Sequence, residues 1–447
     1  MKASAGWSLV LALTLTGCQA YRAAPVSSAA YPDRLESARL PEGPASGVWD
    51  DAAILNLVNA RNAVVHQAEA HFTSVRAEAD LARLPPAGSL NLTLEYTHEA
   101  SPWLYGLGGD LPLDSGVQKS ARLRSADLAV LQAYYDFGEA LWAVRMATKQ
   151  ALLDLWVARQ QARLTGELVD LQTSRLAWLD LRVQAGEDDI TAVVAARSDL
   201  AQSRADLADY KGQARDAEAR LAQVLGVPVN QVIGMRLRDP IRTWDLKMAE
   251  ASRRQAVRMR AGVLKALADY DLAEANLRRE VAGQYPSLHL GPGYTWDHGL
   301  TRLPFNLSLV LPPADGNRAA IRAAESRRAE AGRALETTQA DISATTDQAL
   351  QALAVAQTDL DLLVGQDLPS AQARSLQADR SLAAGAADKG DVLTARAGLL
   401  DAQRRVTDRT YAVFKTRLSL EDTLRVPLDA SEAKALESIL SRIGGPK

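Results

Sequence analysis

Gly385-Ala-Ala-Asp-Lys-Gly-Asp-Val-Leu-Thr-Ala-Arg396 is the stretch whose reading decides the fold, and it has an echo in Gly186-Glu-Asp-Asp-Ile-Thr-Ala-Val-Val-Ala-Ala-Arg197. In both, a glycine follows a very long helical run, a few polar residues come next, and a new helix carries an arginine at the twelfth position. Glycine before a cluster of aspartates reads as the end of one helix and the capped start of the next. Two such turns, each joining two long helices, describe a duplicated helical hairpin, and an internal repeat of that kind dictates the architecture.

Working outward, from Gly116 to Ala185 there is no proline, and Gly138 and Gly166 are the only interior glycines. A helix of that length extends roughly 100 Å at about 1.5 Å per residue. Its large apolar residues, among them Leu128, Tyr135, Trp142, Leu153, Leu164 and Leu168, recur in steps of three, four and seven. Ala126, Ala129, Ala133, Ala140, Ala143, Ala147, Ala151, Ala158 and Ala162 form a second stripe, which predicts a second seam with close backbone approach. The second long helix, 317–384, contains Gly365 and Pro369 and should kink there. Before each long helix the period switches from helical to two. Leu90, Leu92, Leu94 and Tyr96 alternate with polar residues, and Trp103, Tyr105, Leu107, Leu111 and Leu113 alternate after a turn. Leu288, Leu290, Tyr294 and Trp296, then Leu303, Phe305, Leu307, Leu309 and Leu311, do the same in the second half. These are two β-hairpins, 89–113 and 287–312, with one apolar face each. The pattern suits a soluble sandwich, and the strand length of about ten residues also suits a membrane barrel.

Half-length helices complete each half. One runs from Asp50 to Leu84, stopped by Pro85-Pro86, and its counterpart from Trp244 to Ala282. Return helices end at Gly226-Val-Pro228 and near Arg425-Val-Pro427. The first repeat therefore covers 49–243, with an irregular segment at 227–243, and the second covers 244–427. Residues 428–447 read as a peripheral tail. Two half helices end to end match one full helix in length.

The whole chain has 447 residues and a formal net charge of −3. No basic block or aromatic patterning points to nucleic acid, and the composition is that of long helices. Cys18 is the only cysteine, which excludes an internal disulfide and a cysteine metal site. His66 and His71, five apart, are poorly spaced to share a metal on a helix face. Trp7–Leu15 after Lys2 is too short to span a bilayer and reads as the apolar core of a signal peptide, residues 1–17. Leu15-Thr16-Gly17-Cys18 resembles a bacterial lipobox, in which the cysteine is acylated and begins the mature protein; Gln19 in place of Asp favours the outer membrane. Residues 18–48, rich in Ala, Ser, Pro and Gly, form an extended lipid-anchored linker without a core of its own.

The full pattern resembles the TolC family of outer-membrane efflux channels. Asp50-Asp-Ala-Ala-Ile54 is similar to its opening helix, and Leu309-Val-Leu-Pro-Pro-Ala-Asp-Gly-Asn-Arg318 to its strand-to-helix signature. Leu368-Pro369-Ser-Ala371 is similar to the proline of the second long helix. Arg182-Val-Gln-Ala-Gly186 matches the tip pattern, and Gly390-Asp-Val-Leu-Thr-Ala-Arg396 resembles the segment after the second tip. The resemblance implies a mainly α protomer with four strands. Three protomers would close a 12-stranded membrane β-barrel and a long antiparallel coiled-coil tunnel. Trp103, Tyr105, Tyr294, Trp296 and Phe305 would then be membrane-interface aromatics; in a soluble hairpin they would be core. Open strand edges are excluded in hydrocarbon, so a barrel requires copies.

The resemblance also implies a homotrimer in outer-membrane lipid, a periplasmic adaptor, and an inner-membrane pump of the RND or ABC type. Arg182, Gly186 and Gly385 would be the adaptor-docking tips, and Asp391 with Thr394 would line the periplasmic gate. The second tip departs from the pattern, with Ser381 in place of arginine, and Thr394 stands where a second aspartate is common. No phosphate loop, catalytic triad or metal cluster is visible, so the expectation is a passive duct, with no enzymatic activity and no cofactor. Asp188-Asp189 read as helix-cap charges. The competing readings are a duct for type I polypeptide secretion and a lipid-anchored coiled-coil structural protein of the periplasm.

Overall fold

The computed structural model describes residues 21–41, 47–98, 100, 102–113, 116–238, 246–297, 299–427 and 439–440, with side chains left out for 246–252. The signal peptide, Cys18, and most of the tail lie outside these residues.

The chain begins with a short helix α1 (Ala30–Ser37). This two-turn helix and the packing of Ala38 and Leu40 against the main core correct the expectation of a wholly extended linker. Next come α2 (Asp51–Arg61) and α3 (Ala63–Ala82). A single helix was expected here. It breaks at Asn62, whose backbone turns extended (φ −67°, ψ 126°) while its side chain accepts from Val64 N–H and donates to the Val224 carbonyl. An asparagine that offers the backbone a local partner competes with helix continuation. The second repeat breaks in the same way. α6 (Leu246–Met259) and α7 (Ala261–Ala282) flank Arg260 (φ −59°, ψ 140°), whose guanidinium donates to the Thr423 carbonyl. In each repeat the joint side chain is anchored to a carbonyl at the end of a return helix.

The strands are β1 (Ser89–Tyr96), β2 (Trp103–Leu113), β3 (Ser287–Asp297), β4 (Leu300–Arg302) and β5 (Phe305–Val310). They form one antiparallel sheet in the order β1-β2-β3, with both β4 and β5 paired to β3. The returning strand was expected unbroken. It parts at Pro304, which has no N–H to give to the ladder, yet the pairing on both sides keeps one register and the Pro304 carbonyl still accepts from Gly293 N–H. The sheet is thus four strands wide.

Helix α4 (Gly116–Gln184) is a single element of 69 residues. α5 (Ile190–Leu225) returns from the first tip and stops at Gly226, which adopts a left-handed conformation. In the second repeat, α8 (Arg318–Leu362) passes through a π-turn (Leu363–Asp367) into α9 (Leu368–Ala383), and α10 (Lys389–Leu424) returns. The kink anticipated from Gly365 and Pro369 takes the form of that π-turn. Proline near the start of α9 removes a hydrogen bond from the preceding turn, and wider pairing accommodates the loss.

The helices lie side by side. α3 and α5 share one flank of α4, and α7 and α10 lie between α4 and the α8–α9 rod. Half helices therefore stack to match a full one. The main core sits at mid-height, where Ile54, Val58, Phe137, Leu141, Leu155, Leu221, Leu225 and Val232 meet. Ile439 of the tail is buried in it, so the tail is not wholly peripheral. The alanine stripe of α4 does not form one seam. Ala133, Ala151 and Ala158 are buried, but Ala143 and Ala147 are exposed, where alanine serves only as a good helix former.

Candidate functional site

Both tips are built by the same local rule. Gly186 (φ +74°) and Gly385 (φ +71°) are left-handed, the conformation glycine adopts without steric cost. Around them, Glu187 N–H donates to the Arg182 carbonyl and Gly186 N–H to that of Val183. At the second tip, Ala386 N–H donates to the Ser381 carbonyl and Gly385 N–H to that of Leu382. These paired bonds satisfy the last carbonyls of each long helix. Asp189 then accepts from Thr191 N–H to cap α5. Asp388 and Asp391 cap α10 reciprocally, each carboxylate accepting the other's N–H at 3.0 and 3.1 Å. The repeated arginines share one task. Arg197 pairs with Asp180 and Arg396 with Asp379, each tying the return helix to the long one.

The tips differ where they meet. Arg182 donates to Asp188 at 2.7 Å and to Asp388 of the other tip at 3.2 Å, and its guanidinium lies 5.0 Å over the ring of Trp178. The Trp178 ring in turn covers Gly390. One repeat therefore holds the other through an indole and a guanidinium. Arg182, Gly186, Gly385 and Asp391 come together in one cluster, with Thr394 exposed one turn further along α10. The sequence reading missed Trp178, Asp388 and Gly390. The available signal was a glycine within the first turn of a helix, where the first repeat has Thr191.

The sheet has two unlike faces. Register places Leu92, Leu107 and Tyr294 in one cross-strand row, Leu94, Tyr105 and Trp296 in the next, and Tyr96 opposite Trp103 beyond them. Phe305, Leu307 and Leu309 continue that face beside Pro292, Leu290 and Leu288. These side chains stand in the open: Leu92 is 82% exposed, Leu94 70% and Phe305 67%. Tyr96 and Trp103 stack edge to face at 5.0 Å. The opposite face carries Asn91, Thr93, Glu95, Asp110, His289, Asn306 and Ser308, with glycines at 106, 108, 291 and 293. His289 Nδ1 lies 3.1 Å from Asp110, and Arg302 pairs with Asp297. The five aromatics expected at an interface all belong to the apolar face, with Phe305 in the row next to that of Tyr294. β1 and β5 are exposed along their whole length.

At mid-height an ion pair is fully buried. Arg145 (1% exposed) donates to Glu421 (2%) at 2.7 Å, and Lys149 reaches the second carboxylate oxygen at 3.3 Å. The guanidiniums of Arg145 and Arg425 lie 4.6 and 5.7 Å from the centre of the Trp142 ring, which donates its N–H to Asp422. Arg425 also pairs with Glu139 through its Nε and Nη2. Burial, then the charge of Arg425, lowers Arg260 at the α6–α7 joint below its ordinary range. No local pattern announced this network, because its members are far apart in sequence. Among the described residues no group of three or more His, Cys, Asp or Glu could hold a metal, and no helix is long and apolar enough to cross a membrane.

Two helical hairpins on a four-stranded sheet with one exposed apolar face define an outer-membrane channel protomer. The outer membrane efflux protein family model matches residues 54–227 and 252–424, and the chain belongs to that family. It is similar to the "Probable outer membrane lipoprotein SilC" of Salmonella typhimurium, with 24% identity over 69% of this chain and 72% of that one. Among solved structures, it shares its fold with the outer membrane protein VceC of Vibrio cholerae (TM-score 0.70, 16% identity, 85% of this chain and 97% of that one). The Campylobacter jejuni CmeC outer membrane channel is similar in the same way (TM-score 0.71, 14% identity, 89% and 90%).

Proposed function

We propose that three copies of this chain close a twelve-stranded barrel and a continuous helical tunnel, forming the passive outer-membrane duct of a tripartite efflux system. The observation that carries this reading is the sheet. A lone protomer leaves both edge strands unpaired and a face of leucine and aromatic side chains in the open. In hydrocarbon that face is satisfied but the edges are not, so closure by further copies resolves both. The glycine-rich polar face then lines the lumen. Trp103, Tyr105, Tyr294, Trp296 and Phe305 face lipid, the first four near one rim of the apolar band. Native mass spectrometry in detergent tests this: a trimer is expected, and a stable monomer overturns it.

The finer assignments follow from the same reading. Cys18 is the lipid attachment point, in keeping with the lipoprotein relative. Gly186 and Gly385 shape the tips that a periplasmic adaptor meets. Arg182 is already paired with Asp188 and Asp388, so we assign it to holding that shape rather than offering a free cation. An inner-membrane pump of the RND or ABC type supplies the energy. Three Asp391 carboxylates ring the narrow end, each with one oxygen on its cap and the other without a partner among the described residues. Single-channel recordings of Asp391→Asn should show reduced cation preference; unchanged selectivity removes the ring as the filter.

A further inference from the structure

We propose that a recess between α4, α5 and α10 binds a small organic cation with N–H donors, a primary ammonium or a guanidinium, on the inner wall of the tunnel. The proposal rests on the duct reading and adds to it a chemical class of cargo.

The recess has a volume of about 260 Å³ and is lined by Asp154, Ala158, Gln161, Tyr210, Asp408 and Tyr411, among others. Gln161 is 1% exposed. Its amide nitrogen is committed twice, to the Arg404 carbonyl at 3.0 Å and to Asp408 Oδ1 at 2.6 Å. That fixes the amide orientation and leaves Gln161 Oε1 buried without a donor. Asp408 Oδ1 is used by Gln161, and its second oxygen accepts nothing among the described residues. Asp154 Oδ1 takes Gln150 and the Tyr411 hydroxyl, and Asp154 Oδ2 lies 3.4 Å from Arg220.

Two unfilled atoms of the lining, Gln161 Oε1 and the second oxygen of Asp408, are acceptors; the exposed Arg220 borders Asp154, and the charges of Arg404 and Arg409 also act on Asp408. Arg404, beside the recess through its carbonyl on Gln161 and its guanidinium on the Tyr210 hydroxyl, has acids of its own in Asp206 and Asp401, and its Nε is a buried donor without a partner. A ligand that fills the two acceptors must supply donors, and a cationic donor matches the Asp408 carboxylate best. The space exceeds that of one water, whose share of liquid volume is about 30 Å³. A metal ion is a poor match, since the set holds only two carboxylates, one already engaged by Gln161 and the other by three neighbours. Asp408 is held above its ordinary range, chiefly by burial, so a cation there would also relieve an ill-solvated carboxylate.

The location fits a wall site. Leu153, Trp156 and Gln160 of α4 face the groove roofed by Trp49 and Leu237. Asp154, Ala158 and Gln161 lie about 130° round the helix from them, at about 100° per residue. The recess and that groove thus lie on different faces of α4, and we assign the recess face to the inside of the tunnel.

Ligand-observed saturation-transfer NMR on the detergent-solubilised full-length protein tests this, with benzylammonium as the probe and benzyl alcohol as its uncharged twin. We expect transfer to benzylammonium, little to the alcohol, and an affinity at least tenfold weaker in Asp408→Asn and Gln161→Leu. Asp341→Asn, an exposed acid elsewhere on α8, should bind as the wild type does. Equal transfer to both probes, or unchanged binding in both recess variants, overturns the proposal and leaves the recess a water site. Conductance recorded on the same preparations separates the two readings. Loss of binding specificity with normal wild-type conductance sinks the recess alone, whereas absence of wild-type conductance sinks the duct.

Discussion

Gly390→Ala tests whether one tip holds the other. An added Cβ would lie 2.3 Å from Trp178 Cη2, 2.4 Å from Cζ3 and 3.0 Å from Asp388 Oδ1. The indole must move, and with it the guanidinium of Arg182 stacked above. Overpacking of this kind costs about 1–3 kcal/mol, and loss of the cation–ring contact adds about 0.5–1 kcal/mol. Against this, alanine is the better helix former by at most about 1 kcal/mol. The net expectation is a loosening of both tips by about 1–2 kcal/mol. In a Trp178→Ala background the clash is gone and the same change should stabilise by up to about 1 kcal/mol. The two residues should thus be coupled by about 2–3 kcal/mol. Hydrogen–deuterium exchange of peptides spanning 175–190 and 385–400 measures this locally. A difference of about 2 kcal/mol between backgrounds is roughly thirtyfold in the opening equilibrium. The reasoning fails if Gly390→Ala shifts exchange by the same amount and sign in both backgrounds.

Three further outcomes follow from the geometry. Gly186→Ala and Gly385→Ala should each cost about 1–2 kcal/mol in local tip stability, because nothing lies within 4 Å of either Cβ and only the left-handed backbone resists; asparagine should cost less, as read by the same exchange measurement. Removing one partner of the buried pair, as in Glu421→Leu, should destabilise by about 3–5 kcal/mol, and the double change Arg145→Met/Glu421→Leu should recover most of that in denaturant unfolding. Burial raises the Asp408 carboxyl above its ordinary value of 3.8, so the folded state holds its proton more tightly than the unfolded chain does and stability is lost as pH rises from 3.8 through the raised value. Asp408→Asn should therefore be more stable than wild type at pH 7, with the advantage vanishing below 3.8 in thermal melts at a series of pH values.

Periodicity made the large elements legible. The uninterrupted run from Gly116 onward has no helix breaker, and Leu90 to Tyr96 alternate strictly, so neither could be mistaken. Gly385 and Gly186 marked the turns because a left-handed residue after a long helix strongly favours glycine. Single-residue joints were not legible. Neither Asn62 nor Arg260 stands out within its helical run, and the carbonyls they reach in the return helices, with the Asn62 cap on Val64, fix the break there. Pro304 was visible, but whether it would shift the register or merely skip a rung depended on β3. The candidate site was half visible. Arg182 and Asp391 carried patterns, whereas Trp178, Asp388 and the recess around Gln161 depend on which helices become neighbours.

The π-turn at Leu363–Asp367 gives the two repeats unequal mechanics. α4 is a strut without a joint, and its partner rod has one, latched where Arg405 grips Asp367 at 2.7 Å. The arm from that joint to Gly385 is roughly 27 Å at about 1.5 Å per residue, so a bend of about 10° carries the tip through about 5 Å. Compliance is thus concentrated on one side of each protomer. Around a ring of three, stiff and yielding arms would alternate, and a load applied at the tips would be taken up by every second arm.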